Sequence, residues 1–236
     1  MAAETADKPI RANVYFDGFN FYHGCFRFRT QWKYCKWLNL EVFIQRVFPH
    51  YAINRIRYFT ALVNPTADDP DQRLRQLTYL RALETIPCVT VHRSRFATNA
   101  KLRYAADPQS FDSHVRRPIP LEPLTKVGVI EEEEKGSDVN LASYLLVDAF
   151  ENEYDVAIVV SNDSDLAEPI RLVRSRLARK VVLLNPRKQT ALDLQGIADE
   201  YRQVRFGPLQ VSQFPYTLHD ENGVIQIPDT WKQPDR

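Results

Sequence analysis

The stretch that decides the fold is the apolar run Val156-Ala157-Ile158-Val159-Val160, which is followed at once by Ser161-Asn162-Asp163-Ser164-Asp165. An uninterrupted apolar run of this length is typical of a central strand in a parallel sheet, because helices cover such a strand on both faces. The polar residues behind it predict a turn into a helix, since aspartate, asparagine and serine favour helix N-caps. One cap residue is enough for a helix, so the second carboxylate is surplus and indicates a site.

Strand and helix patterns alternate along the chain on both sides of this run. Strands are predicted at 12–16, 56–63, 88–91, 156–160, 181–184 and 203–206, and helices at 19–26, 39–48, 69–86, 137–150, 166–177 and 191–198. This alternation predicts an α/β fold with a mainly parallel β-sheet flanked by helices.

The chain is predicted to have one main domain with a short leader and a tail. Residues 1–10 are polar and charged and predict a disordered leader, residues 11–206 form the main domain, and residues 207–236 form a C-terminal extension. Within the domain, residues 96–129 are rich in prolines and basic residues and predict a long insertion loop, which in a compact domain is usually functional or mobile.

The C-terminal extension carries a turn signature. Two strand-like segments, 214–219 and 224–227, flank Asp220-Glu221-Asn222-Gly223, which predicts a β-hairpin. Because a lone hairpin is only marginally stable in water, this one should pack on the main domain, pack on another subunit, or be loosely held. The second possibility would make the protein a homo-oligomer.

Composition indicates the cellular compartment and the class of partner. The chain has 236 residues and a formal net charge of +1, so its bulk charge does not favour nucleic acid, although local basic patches would suffice. Cys25, Cys35 and Cys88 show no C-x-x-C spacing, which argues for a reducing compartment and against disulfides or a zinc site. No apolar run approaches the roughly 20 residues of a membrane span. A cytoplasmic protein without a membrane partner is predicted.

Carboxylates recur where the predicted strands end. Asp17 follows the first strand, and Asp138 opens a helix. Strand ends that are neighbours would bring these groups and Asp163 into one small volume, where they cannot all stay ionised without a cation. Oxygen ligands without a histidine or cysteine set favour Mg²⁺ or Mn²⁺. Each aspartate taken alone is equally explained as a cap or a favourable charge at a helix N-terminus.

Three motifs in fixed order resemble those of the NYN domain, a branch of the PIN-like metal-dependent ribonucleases, and its LabA-like bacterial members look most similar. They are Asp17-Gly-x-Asn20, Lys135-Gly-x-Asp138 and Ser161-x-Asp163-Ser164-Asp165. The resemblance implies a Rossmann-like sheet between helices with an acidic cluster at the strand ends. It implies metal ligation and catalysis by Asp17, Asp138, Asp163 and Asp165, with Asn20, Lys135 and Ser161 as polar residues around the metal. Asn162 departs from the family pattern, which has glycine there.

The resulting hypothesis is a metal-dependent endoribonuclease that hydrolyses RNA, with DNA as a possible further substrate. The resemblance implies products with a 5′-phosphate and a 3′-hydroxyl. Lys135 is a candidate for stabilising charge on the scissile phosphate. Candidates for substrate binding, besides Asn20, Ser161 and Asn162, are the basic residues that follow the third and fifth strands, namely Arg93, Arg95, Arg187 and Lys188. Exposed arginines and lysines are also common without any such role.

Two alternatives stay open from the sequence. The first is a non-catalytic module that binds RNA or protein on the same fold. The second is another Mg²⁺-dependent phosphohydrolase, although Phe19 stands where a haloacid-dehalogenase-type phosphatase has its second aspartate. The phosphate-binding Gly-x-x-x-x-Gly-Lys motif and the Gly-x-Ser-x-Gly motif of serine hydrolases are both absent from the sequence.

Overall fold

The structure, a computed structural model, describes residues 8–27, 29–105 and 125–233. The chain divides into a larger unit, Met1–Ser94 with Gly136–Arg236, and a smaller unit, Arg95–Lys135. The predicted leader at 1–10 lies for the most part outside the described residues and stays a prediction. No helix in the described part of the chain combines the length and apolar character that a membrane span requires.

The larger unit is built on a parallel sheet. Its strands are β1 (Arg11–Asp17), β2 (Ala52–Ala61), the first part of β3 (Val89–Tyr104), β5 (Val156–Val160), β6 (Lys180–Asn185) and β7 (Glu200–Gln203), while β4 (Lys126–Lys135) belongs to the smaller unit. The order is β3-β2-β1-β5-β6-β7, and every neighbouring pair is parallel. The mainly parallel α/β fold is therefore confirmed, with β1 and β5 at its centre.

Helices cover both faces of this sheet. They are α1 (Gly18–Tyr22), α2 (Leu40–Val47), α3 (Gln72–Leu83), α4 (Ser137–Phe150), α5 (Ala167–Leu177) and α6 (Phe206–Gln210), with a π-helical turn at His23–Arg27 and 3₁₀ turns at Thr30–Cys35, Ser164–Leu166, Leu192–Leu194 and Asp229–Trp231. Side chains alternate along β1, so Val14 and Phe16 join the core under α1, α2 and α3. Tyr15 joins the core under α4 and α5.

The smaller unit corrects the predicted loop at 96–129. Residues 95–104 of β3 pair antiparallel with β4, so 96–104 and 126–129 are strand, while 106–124 lie outside the described residues. Lys101 bridges Glu131 and Glu133 across the ribbon, and Arg103 also pairs with Glu131. One face of this ribbon carries charged side chains of opposite sign instead of apolar ones. The alternation of apolar and polar residues that usually indicates a strand is therefore missing from the sequence.

Two further predictions need correction near the end of the domain. The helix predicted at 191–198 is only the 3₁₀ turn Leu192–Leu194, because Gly196 adopts a left-handed φ of 79° that a helix cannot continue through. The last parallel strand, β7, spans Glu200–Gln203 and shares only Gln203 with the predicted 203–206 segment, and Phe206 already begins α6.

The C-terminal hairpin is confirmed. Strands β8 (Thr217–Asp220) and β9 (Gly223–Gln226) are antiparallel, and Gly223 supplies the positive φ of the turn. Ile225 is 2% exposed and joins the same core as α3, while Arg81 of α3 holds Asp220 in an ion pair. The hairpin packs on the main domain, which is one of the three predicted alternatives. An interface with another subunit stays a prediction.

Candidate metal centre

The sheet brings the ends of two strands together. Phe16 of β1 pairs in parallel with Val160 of β5, so Asp17 and Ser161 follow at the same sheet edge. Gly136 precedes α4 with a φ of 100°, a left-handed conformation that glycine adopts without strain, and Asp138 lies in the first turn of that helix. Three separate elements thus contribute polar groups to one edge.

Three carboxylates meet there. One oxygen from each of Asp17, Asp138 and Asp163 lies within 4.8 Å of the other two. Asp17 is only 5% exposed, Asp163 is half-buried, and Asp138 is exposed. Asp165 is not part of this group, although its charge acts on Asp138. The structure therefore assembles three of the four aspartates that the sequence indicated.

Hydrogen bonds fix two of these carboxylates and confirm their role as helix caps. Oδ1 of Asp17 accepts from the N–H of Asn20 at 2.9 Å, and Oδ1 of Asp163 accepts from the N–H of Asp165 at 3.0 Å. The Ser161 hydroxyl donates to Oδ2 of Asp17 at 2.7 Å. A carboxylate oxygen has two lone pairs, so capping leaves room for a cation. The two explanations of these aspartates are compatible.

The charge of the cluster is uncompensated. Burial, followed by the proximity of Asp138 and Asp163, raises the pKa of Asp17 from 3.8 to about 6, against the opposing effect of its hydrogen bonds to Asn20 and Ser161. Burial, Asp163 and Asp165 likewise raise the pKa of Asp138. Within the described ranges, none of these four carboxylates forms a salt bridge. A cation among them would remove this repulsion.

The NYN domain family matches residues 11–205, most of the chain. The chain belongs to the NYN domain family. NYN domains are generally nucleases of the PIN-like fold, and the resemblance drawn from the three motifs is confirmed. The acidic cluster lies within the matched region.

Two known proteins are similar to this NYN protein. The 6-hydroxy-3-succinoylpyridine 3-monooxygenase HspA of Pseudomonas putida (strain DSM 28022 / S16) is 26% identical over an alignment of 255 positions, which covers 98% of this chain and 78% of that protein. The crystal structure of a protein of unknown function from Vibrio parahaemolyticus RIMD 2210633 matches with a TM-score of 0.51 and 14% identity, over 85% of this chain and 96% of that one. The second likeness shows the fold alone.

Two asparagines join the strand ends of this NYN domain. Oδ1 of Asn20 accepts from the N–H of Asn162 at 3.1 Å, and Oδ1 of Asn162 accepts from the N–H of Ala191 at 2.9 Å. Asn162 therefore supplies a side-chain contact that the family's usual glycine could not make. It ties the turn after β5 to the segment that follows β6.

The predicted basic residues divide into three groups. Arg187 and Lys188 line an open cleft of about 1,040 Å³ together with Asn162. Arg93 lies at the same sheet edge but two strands away from β1, and it pairs with Glu84 at 2.6 Å. Arg95 and Lys135 belong to the smaller unit, where Lys135 pairs with Glu133 at 2.6 Å. Arg187 and Lys188 thus share a cleft with Asn162, a residue of the turn that carries Asp163.

One polar group near the cluster was missed by sequence reasoning. Ser137, the residue before Asp138, is 5% exposed, and its hydroxyl finds no hydrogen-bond partner among the residues that the structure describes. A serine at a helix start is so common as a cap that the sequence gives it no distinguishing pattern. Its orphaned hydroxyl leaves an unused polar group at the start of the helix that carries Asp138.

Proposed function

We propose that this NYN protein is a metal-dependent endoribonuclease whose active site is the cluster of Asp17, Asp138 and Asp163. The observation that carries the proposal is the mutual approach of their oxygens to within 4.8 Å at the carboxyl ends of the parallel strands. Ligands in open parallel sheets bind outside those strand ends. Family membership adds that NYN domains are generally nucleases.

The donor set fits Mg²⁺ or Mn²⁺. The group contains three carboxylates and neither histidine nor cysteine, and hard oxygen ligands favour these ions. A bound divalent ion would supply Lewis-acid activation of water and neutralise charge on the scissile phosphate. The raised pKa of Asp17 indicates a site that is short of positive charge. Asp165, outside the group, would add charge without needing direct ligation.

The remaining residues of the site would position the ligands and the RNA. Ser161 and Asn20 hold the carboxylate of Asp17 through hydrogen bonds. Arg187 and Lys188, together with Asn162, line the open cleft and would bind the RNA backbone. Fixed ligands require little reorganisation when substrate arrives, which is how an electrostatic site gains rate.

The motif position of Lys135 makes it our candidate for stabilising charge on the scissile phosphate. Arg93 and Arg95 stay candidates for substrate binding because of their positions in the sequence after the third predicted strand. The proposal includes RNA hydrolysis with 5′-phosphate products, DNA as a secondary substrate, and action in the cytoplasm. The last point is supported by Cys25, Cys35 and Cys88, which are all free thiols.

Cleavage assays test the proposal. Wild type, Asp17→Asn and Asp163→Asn are incubated with labelled single-stranded RNA, single-stranded DNA and duplex, in Mg²⁺, Mn²⁺ or chelator. The exposed Asp68→Asn is the matched control. We expect metal-dependent RNA cleavage that is lost in both site variants and kept in the control. Equal cleavage by all four proteins would indicate contamination and reject the proposal. Binding without cleavage in any metal would favour a non-catalytic module.

A second candidate is oxidation of a small heteroaromatic molecule. It is favoured by the relative named as a monooxygenase, because the match to that protein spans 98% of this chain. Against it, the seven glycines of the chain never adopt the Gly-x-Gly-x-x-Gly spacing of a dinucleotide-binding turn. Oxidation of NADH that depends on a hydroxypyridine and O₂, with RNA left intact, would establish this candidate over the nuclease.

A further inference from the structure

Residues of α1 line a second cavity. It has a volume of about 230 Å³. Its walls include the buried rings of Tyr58, Tyr79 and Trp231, and Tyr22, which is 39% exposed, lies at its mouth. Gly18, the residue directly after Asp17, also lines it. Consecutive Cα atoms are about 3.8 Å apart, so one residue of the cavity wall directly follows a residue of the acidic cluster along the chain.

The size and walls of the cavity restrict its ligand. Its volume is below the roughly 300–1,000 Å³ typical of pockets for drug-sized molecules, so it suits a single ring or a fused pair of rings. Aromatic walls favour a flat ring that stacks. The exposed ring of Tyr22 supplies a platform at the mouth.

The positive charge of Lys36 beside Tyr22 restricts the charge that a ligand of the cavity can carry. The Lys36 ammonium lies 5.2 Å from the ring centroid of Tyr22 and 3.2 Å from its hydroxyl oxygen. No carboxylate in the described part of the chain lies within ion-pair distance of it. A second cation in the wall, Arg75, is paired with Asp69. Asp69 also lines the cavity and offsets the charge of Arg75, so Lys36 is the cation of the wall without an ion-pair partner among the described residues. Its charge disfavours a cationic ligand, and its free donors favour a carbonyl oxygen on the ring.

We propose that this cavity is a base-binding subsite that takes one unpaired nucleobase of the RNA beside the scissile phosphate; the inference rests on the proposed nuclease function. The base stacks on Tyr22 and accepts a hydrogen bond from Lys36 through a ring carbonyl. Stacking on aromatic side chains is the usual means by which proteins hold unpaired bases. Helix α1 would then join the two sites, since Gly18 and Tyr22 line the cavity while Asn20 bonds to Asn162 on the side of the cluster.

Part of this subsite comes from outside the family domain. The NYN match ends at residue 205, whereas Trp231 lies in the C-terminal extension and closes one wall. Trp231 is 9% exposed, and its ring packs 6.4 Å from that of Trp37 and 6.1 Å from that of Tyr79. The extension therefore completes a pocket that the NYN domain does not form by itself. Its role would be to select the base at one position of the RNA.

An abasic scan tests the subsite without relying on cleavage. A single abasic residue is placed in turn at each position of a labelled RNA hexanucleotide, and binding by the full chain is measured by fluorescence anisotropy in chelator. The variants are Tyr22→Leu and Lys36→Met. Their controls are Tyr34→Leu and Lys33→Met, which alter a similar cation–aromatic pair with a separation of 4.7 Å on the neighbouring segment.

In wild type and in both controls, we expect one abasic position to weaken binding about 10-fold. In Tyr22→Leu and Lys36→Met the same abasic position should cost less than about twofold, because the base has already lost its partner. Tyr22→Phe keeps the ring and should retain the wild-type pattern, which separates stacking from loss of fold.

An equal abasic cost in the variants and in wild type, or no sensitive position at all, would overturn the subsite. Binding of a free nucleobase in the cavity that RNA does not compete away would overturn it as well, and would make the cavity a small-molecule site. Cleavage with a flat abasic scan would reject the subsite and leave the nuclease intact. A sensitive position without cleavage in any metal would reject the nuclease and leave base binding intact.

Discussion

Ser161 and Asp17 are joined by a buried hydrogen bond of 2.7 Å that links the ends of β5 and β1. The same hydroxyl oxygen accepts from the N–H of Asp163 at 3.0 Å. One side chain therefore holds the carboxylate of Asp17 and the backbone of Asp163. It also lowers the pKa of Asp17, although burial raises that pKa more strongly.

Replacing Ser161 with alanine should weaken cation binding without unfolding the protein. The variant loses a hydrogen bond to a carboxylate, which is worth about 1.5–3 kcal/mol, and the pKa of Asp17 rises further. We expect Mn²⁺ affinity, measured by isothermal titration calorimetry at pH 7, to fall by about 10-fold or more. Ser143→Ala on the exposed face of α4 should match wild type. Unchanged Mn²⁺ affinity in Ser161→Ala would contradict the positioning role of this hydroxyl.

The raised pKa of Asp17 predicts that a cation stabilises the fold most above pH 6. Folding raises this pKa from 3.8 to about 6, so the folded state binds the proton more tightly than the unfolded state does. Without metal, the free energy of unfolding falls by about 3 kcal/mol as the pH rises through this window. Mn²⁺ replaces the proton as the compensating charge, so thermal scans should show a larger gain in melting temperature with Mn²⁺ at pH 7.5 than at pH 5.

The control for that experiment is Asp17→Asn, which removes the titrating group and keeps the size of the side chain. Without metal, its free energy of unfolding should not show the fall between pH 4 and pH 6 that Asp17 causes in wild type. Mn²⁺ should also raise its melting temperature much less at pH 7.5. A gain in melting temperature from Mn²⁺ that is independent of pH in wild type would show that Asp17 does not compete with protons for the ion.

Asp138 and Asp165 should differ in their effect on metal binding. Asp138 contributes an oxygen to the three-carboxylate group, whereas Asp165 lies outside it. We expect Asp138→Asn to remove a ligand and reduce Mn²⁺ affinity by at least about 10-fold, while Asp165→Asn loses only a nearby charge, worth a few-fold. The effect of Asp165→Asn should shrink in 0.5 M salt because exposed charges are screened. Equal, salt-independent losses would place Asp165 among the ligands.

Much of the fold could be read from the sequence because the parallel sheet leaves a strong pattern. The apolar run at Val156–Val160 predicts a buried strand, and the polar turn after it places Asp163 at the sheet edge. The antiparallel ribbon of the smaller unit was missed since its cross-strand pairs are charged. The approach of Asp138 to Asp17 depends on how α4 packs across β1, a long-range contact that no local pattern encodes.

The buried ion pair of Arg57 and Asp148 should contribute strongly to stability. Arg57 donates to both carboxylate oxygens of Asp148, at 2.8 and 2.7 Å, and Tyr15 adds a third hydrogen bond at 2.7 Å. Asp148→Asn leaves a buried guanidinium without its counter-charge, which costs about 3–5 kcal/mol. Glu84→Gln, which breaks the exposed pair with Arg93, should cost less than about 1 kcal/mol. Urea unfolding compares the two, and similar costs would contradict a special role for the buried pair.

Gly18→Ala should damage the site and the fold together. A Cβ at this position would lie 2.7 Å from the carbonyl oxygen of Phe59 and 2.8 Å from the Tyr58 ring, so the backbone of β2 or the start of α1 must move. Overpacking of this kind costs about 1–3 kcal/mol. Because Gly18 follows Asp17 directly, we expect a loss of Mn²⁺ affinity as well as a lower urea midpoint.

Gly207→Ala is the matched control, since a Cβ there meets nothing within 4 Å. It should leave metal binding unchanged and leave stability equal to or above that of wild type, because alanine narrows the unfolded ensemble. Wild-type stability and Mn²⁺ binding in Gly18→Ala would show that the turn after β1 has more freedom than its contacts with Tyr58 and Phe59 allow.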